Sequence, residues 1–111
     1  MYSLERHASQ AEQKAVTALI ELLLELPVSI RVYDGIDWAC ERTSDPSVLY
    51  DAVASTGFDV LGVYDAESGA VLGQFYLIYQ DSGDAAEAVY DHTDNNFCHK
   101  VMAELYHRLG F

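Results

Sequence analysis

The chain has 111 residues, half of them apolar, with 18 acidic residues against 6 basic ones and a formal net charge of −12. That length accommodates one hydrophobic core, so residues 1–111 read as a single acidic domain, and the apolar share is too high for a disordered acidic tail. The charge argues against direct contact with nucleic acid or an anionic membrane and favours a protein partner with a basic surface.

Between Leu4 and Leu26, apolar residues recur every three or four positions through Ala8, Ala11, Ala15, Leu19, Leu22 and Leu23. This spacing predicts an amphipathic helix with Ser3 as N-cap and Pro27 as the stop. "VSIRVYDGIDWACER" then alternates. Val28, Ile30 and Val32 share one face, Ile36, Trp38 and Cys40 share one, and Asp34-Gly35 reads as a two-residue hairpin turn. "TSDPSVLYDAVAST" predicts a short second helix capped by Ser44 or Asp45, with Pro46 at its first position and its end near Gly57.

"FDVLGVYDAESGAVLGQFYLIYQD" reads as a second hairpin turning around Glu67-Ser68-Gly69. Its later strand, apolar on both faces, belongs in the interior of a sheet. Residues 84–92 admit two readings. Asp84, Glu87, Asp91 and Asp94 are spaced for one side of a helix, but "YDHTD" is a poor helix former, which favours a fifth strand over Ala86–His92. The last helix, capped by Thr93 or Asp94, aligns Phe97, Val101, Leu105 and Leu109 and ends at Gly110. The order α-ββ-α-βββ-α predicts an α+β domain: an antiparallel sheet of about five strands with helices packed mainly on one face. The other face stays open and carries Ser29, Arg31, Tyr33, Asp37, Glu41, Gln74 and Tyr76.

The negative charge is not spread evenly. Residues 34–94 hold thirteen acids and one base, Arg42, and no lysine or arginine falls between Arg42 and Lys100. Tyr79–Asn96 alone contributes Asp81, Asp84, Glu87, Asp91 and Asp94. A need for solubility or salt tolerance would acidify the termini as well.

Catalytic and metal signatures are weak. His92, Cys98 and His99 lie close in sequence, yet neither C-x-x-C nor H-x-x-x-H spacing occurs. Neighbours on a helix diverge by about 100°. Cys98 reads as a core residue at the helix–sheet seam. The acidic loops lack the D-x-D-x-D-G calcium pattern. Asp91 and His92, adjacent on a strand, point to opposite faces and form no dyad. No catalytic residue, cofactor or metal is expected. Trp38 and the eight tyrosines lack the interleaved cations of a single-strand binder. With no apolar run near the ~20 residues that span a bilayer and no secretion-signal pattern at the N-terminus, the expectation is a cytoplasmic protein with two reduced thiols.

The segments "VYDGIDWACERTSDP", "YDAESGAVLGQFYLIYQD" and "VYDHTDN" together resemble small uncharacterised acidic proteins of phages, prophages and alphaproteobacterial genomes. Those show a D-G turn, a nearby Trp, an R-[ST]-x-D-P helix start, a hydrophobic strand ending in Tyr and a D-[YH]-T-D-N segment before the last helix. The likeness covers residues 28–96 and defines no residue roles. In size and acidity the chain is similar in kind to anti-CRISPR inhibitors.

The resulting expectation is a non-enzymatic inhibitor of phage or mobile-element type. It would occupy a Lys/Arg-lined nucleic-acid channel on a host defence complex, mimicking phosphate charge with Asp65, Glu67, Asp81, Asp84, Glu87, Asp91 and Asp94, and using Tyr76 as an anchor. Same-face strand residues lie about 6.6 Å apart, near the spacing of successive phosphates. The alternative is a regulatory or interaction domain that self-associates through its open sheet face or a strand edge, with acidity serving solubility.

Overall fold

Ser9 and Glu12 start the first helix by capping each other. The Ser9 hydroxyl accepts from the Glu12 backbone N–H at 3.2 Å, and Glu12 Oε1 accepts from the Ser9 N–H at 2.9 Å. This reciprocal box satisfies two N–H groups that a helix start leaves without partners. The helix, α1, therefore runs Gln10–Leu24 rather than from Leu4. The expected cap, Ser3, is followed three residues later by Arg6, which cannot complete such a box; it lies outside the described residues. The structure, a computed structural model, describes residues 8–54, 56–79 and 88–110.

The remaining elements are β1 Val28–Tyr33, β2 Trp38–Thr43, α2 Pro46–Ala52, β3 Phe58–Asp65, β4 Val71–Ile78, β5 Val89–His92 and α3 Asn96–Leu109. The fold is α+β, in the order α-ββ-α-βββ-α. The five strands form one antiparallel sheet in the order β2-β1-β3-β4-β5, and β4 is an interior strand as its apolar composition required. Val28, Ile30 and Val32 alternate into the core with Leu61, Val63, Phe75 and Leu77. Val16, Leu19, Ile20 and Leu23 of α1, Leu49 of α2, and Val101 and Leu105 of α3 pack against them. All three helices thus share one side of the sheet.

The first hairpin departs from the expected two-residue turn. Tyr33 pairs with Trp38, so the connection is Asp34–Asp37. Asp34 builds it: its Oδ1 accepts from the N–H groups of Ile36 (2.9 Å) and Asp37 (2.8 Å), and Gly35 takes φ +93°. One carboxylate satisfying two backbone donors stabilises a longer loop than the Asp-Gly pair suggests. The second hairpin turns as expected, with Asp65 Oδ1 accepting from the N–H groups of Glu67 and Ser68, both at 2.9 Å, and Gly69 at φ +75°.

β2 contradicts the expected face for Trp38. Register passes from Tyr33↔Trp38 to Val32↔Cys40 and then to Ile30↔Thr43, so β2 carries an extra residue twice within six positions. Each bulge rotates the strand. Trp38 consequently joins Tyr33 on the helix-free side while Cys40 turns toward the core, and Ile36 is 81% exposed in the loop. Two-residue alternation places Ile36, Trp38 and Cys40 on one side only if the ladder is unbroken.

The C-terminal third is tied by one amide. Asn95, not Thr93 or Asp94, caps α3: its Oδ1 accepts from the Cys98 N–H at 2.8 Å, and its Nδ2 donates to Leu72 O at 2.9 Å. An aspartate cannot do both. Thr93 instead accepts from the Gln74 N–H at 2.9 Å, extending the β4–β5 pairing. Cys98 is fully buried at the helix–sheet seam, and a Cβ at Gly73 would collide with its Sγ. Glycine there lets α3 approach β4. At the far end, Gly110 closes α3 at φ +89°. Arg108 holds Glu25 of the α1 C-terminus through two hydrogen bonds of 2.6 and 2.7 Å.

Candidate functional site

Most described carboxylates on the surface are employed in the fold. Asp34 and Asp65 organise the two hairpin loops, and Asp45 caps α2 by accepting from the Ser47 N–H and hydroxyl. Their backbone and hydroxyl donors hold all three carboxyls below the usual Asp range. Asp37 accepts from the Trp38 N–H, and Asp91 Oδ1 from the His92 N–H. Asp94 pairs with His99 Nε2 at 2.8 Å.

Nor are these groups gathered in one place. Asp65 and Glu67 sit at the β3–β4 turn. β4 then runs about 25 Å at ~3.3 Å per residue before Tyr79, so Tyr79 and Ala88, whose carbonyl accepts from the Ile78 N–H, lie at the opposite end of the sheet. Asp34 and Asp37 belong to that second end, since Tyr33 aligns with Val60 and Val60 with Tyr76. Asp94 is at the β5–α3 junction. Among the described residues the carboxylates form no single patch. Asp81, Asp84 and Glu87 lie outside the described residues.

One pair of expected contact residues is brought together. Tyr76 of β4 stands directly opposite Asp91 of β5. Register slips by one residue between Tyr76↔Asp91 and Leu77↔Val89, so Tyr90 is the extra residue and projects with Asp91 to the outer side. Tyr90 is 52% exposed, with its ring centroid 6.2 Å from Tyr76 and 6.3 Å from Phe58. Tyr76 donates its hydroxyl to Gln74 Oε1 at 2.8 Å.

These residues belong to a helix-free face whose aromatic content extends across the sheet. At the other margin, the Arg31 guanidinium lies 3.3 Å from the Trp38 ring centroid, with Tyr33 edge-on to the indole at 5.3 Å. Arg31 Nε is 3.1 Å from Glu41 Oε2, a close ion pair whose N–H is not aligned on the oxygen. Arg42 stacks on Tyr64 at 3.8 Å. Sequence reasoning missed both stacks: Trp38 reaches this side only through the β2 bulges, and Arg42 meets a ring two strands away. Val60 and Ile78, half-buried, complete the middle of the face.

On the core side, Asp59 is a second feature that went unread. It is fully buried, and its Oδ2 accepts from the Ala54 N–H at 2.8 Å and the Tyr79 hydroxyl at 2.6 Å, while Oδ1 has no hydrogen-bond partner among the described residues. Burial pushes its pKa up to about 6; the two hydrogen bonds oppose that shift and the charge of Asp34 adds to it. Burial likewise raises the Tyr79 hydroxyl, helped by the Asp59 charge. A signal existed: in "FDVLGV" Asp59 is in phase with Leu61 and Val63, which face the helices.

Among the described residues the cysteines are single thiols and the histidines make contacts within the fold. Cys98 and Cys40 are free thiols, each raised by burial and so less nucleophilic. The His92 and His99 rings meet edge-on at 5.6 Å, His92 Nδ1 approaches Thr93 O at 2.9 Å, and His99 takes Asp94. Among the described residues no three His, Cys, Asp or Glu side chains are placed to hold a metal ion, and no helix is long and apolar enough to cross a membrane. No family model, curated protein or solved structure matches the chain.

Proposed function

We propose that this protein is a non-enzymatic binding module that associates stoichiometrically with a basic protein surface, using the helix-free face of its sheet. The observation that carries this reading is the face itself. Phe58, Val60, Tyr76, Ile78 and Tyr90 adjoin one another there, and none of the described helices covers them. Aromatic side chains at the centre of a contact supply most of the energy of protein association. The net charge of −12 selects for a partner rich in lysine and arginine and speeds the encounter. Nucleic-acid-binding surfaces of host defence complexes are such partners, and occupying one would make the domain an inhibitor of phage or mobile-element type.

The test is capture of partners from a host lysate at low and at high ionic strength, repeated with Asp84, Glu87 and Asp91 all changed to Lys. The expected result is a partner whose retention falls steeply with salt and is lost on charge reversal. Retention indifferent to both would overturn the reading. A second reading, self-association through the same face, is favoured by its apolar middle. It predicts a concentration-dependent sedimentation coefficient that Tyr76→Glu abolishes.

A further inference from the structure

The outer face shows twice, within this chain, how it holds a guanidinium. The Arg31 guanidinium lies over the Trp38 ring with the Glu41 carboxylate beside it, and that of Arg42 lies over Tyr64. In the first case the components are an aromatic plane, a second ring on the neighbouring strand edge-on to it, and a carboxylate on the same strand as the plane. A planar cation stacks on such a ring and is weakly hydrated, so it sacrifices little by leaving water.

The opposite margin of the same face repeats those components without a cation among the described residues. Tyr76 and Tyr90 present two rings inclined at 56°, and Asp91 stands across from Tyr76 on the neighbouring strand. The β5 bulge is what turns Tyr90 and Asp91 to the same side. None of the described cations is placed to fill the gap. Arg31 lies on β1, two strands from β4, and Arg42 lies three strands away, with about 4.8 Å between adjacent strands. Lys14, Lys100 and Arg108 are carried by helices on the other side of the sheet. His92 turns its ring toward Phe75 and His99.

We infer that the Tyr76–Tyr90–Asp91 corner takes up an arginine side chain of a basic partner protein, as Trp38 and Glu41 take up Arg31. The inference rests on the binding-module reading above and adds the chemistry of the contact: arginine in preference to lysine. A lysine ammonium satisfies the charge of Asp91, but it is strongly hydrated and has no plane to lay against Tyr90.

The experiment titrates the full chain at low salt with two synthetic peptides of equal length and charge, one a Gly-Arg repeat and the other a Gly-Lys repeat. Affinity is read by calorimetry and the tyrosine ring resonances by NMR. The expected result is binding of the Gly-Arg peptide about fivefold tighter than the Gly-Lys peptide, with shifts at the Tyr76 and Tyr90 rings. Tyr90→Ala should reduce that preference and Asp91→Asn should weaken the binding of both peptides, each leaving the amide spectrum of the core unchanged. Equal affinities with no shift at Tyr76 or Tyr90 would overturn the arginine assignment and leave the basic-partner reading standing. Failure of both peptides to bind would overturn the basic-partner reading and the arginine assignment with it. Concentration-dependent shifts at these rings without peptide, unchanged by peptide, would assign the corner to self-association and overturn the inference.

Discussion

The Tyr79 hydroxyl donates to Asp59 Oδ2 at 2.6 Å inside the core, joining the end of β4 to the start of β3. The same oxygen accepts from the N–H of Ala54, which follows α2 with φ +60°, a conformation that is strained for a residue with a Cβ. One carboxylate therefore fixes the α2–β3 connection and the end of β4 together.

That carboxylate makes stability fall as pH rises. With its pKa raised from 3.8 to about 6, the native state holds a proton that the unfolded chain has released. The protein should therefore lose about 3 kcal/mol as pH climbs through roughly 4 to 6. Carboxyls with lowered pKa values, such as Asp34, Asp45 and Asp65, act in the opposite sense and below that window. Urea unfolding at pH 5 and pH 7 should show the wild type more stable at pH 5, and Asp59→Asn should flatten the difference.

Tyr79→Phe tests the same pair from its other side. Removing the donor leaves a buried carboxylate less compensated, which should cost about 1–3 kcal/mol at pH 7. Because the hydroxyl holds the Asp59 pKa down, its loss should also move the midpoint of the pH dependence upward. Denaturant midpoints measured across pH 4 to 8 give both quantities. An unchanged midpoint would mean that the bond does not tune the acid.

Gly73→Ala addresses the α3–β4 contact. The new methyl meets Cys98 Sγ at less than van der Waals separation, so the helix must shift or the thiol must leave its rotamer, at about 1–3 kcal/mol. Adding Cys98→Ala should recover part of that loss, since the methyl then occupies the space vacated by the sulfur. A double-mutant cycle on thermal unfolding would measure the recovery. Additive losses would place the strain elsewhere.

Arg31→Lys keeps the charge and removes the planar group from Trp38 and Glu41. It should cost about 0.5–1 kcal/mol and change the Trp38 emission, the chain's one indole signal. Arg31→Leu should lose a similar amount with little dependence on salt, because ring stacking contributes more here than an ion pair to an exposed Glu41. A loss that salt largely abolishes would reverse that ranking.

The sequence made the element order, the interior position of β4, the second hairpin and the burial of Cys98 legible, because each follows from local periodicity or turn chemistry. The start of α1 was legible too, in Ser9 and Glu12, but a longer apolar stripe drew the boundary to Ser3. Trp38 and Tyr90 were not legible. Each faces outward because one strand contains a residue more than its neighbour, and that mismatch belongs to the pairing of two segments rather than to either alone. The acidic stretch posed the reverse problem. Counting charges along the chain suggested a common surface, whereas Asp34, Asp45 and Asp65 are consumed by the backbone N–H groups of their own loops. Among the described carboxylates of that stretch, Asp91 stands opposite Tyr76.

The margins of the sheet decide how a second molecule can approach. β2 is interrupted twice in six residues, and β5 offers four residues with a slip in the middle. Neither rim presents an uninterrupted row of amides and carbonyls, so a visiting chain finds no template along which to zip as an added strand. On the proposed reading a partner therefore meets this domain broadside, through side chains laid against the helix-free face, with specificity written in rings and charges rather than in backbone hydrogen bonds.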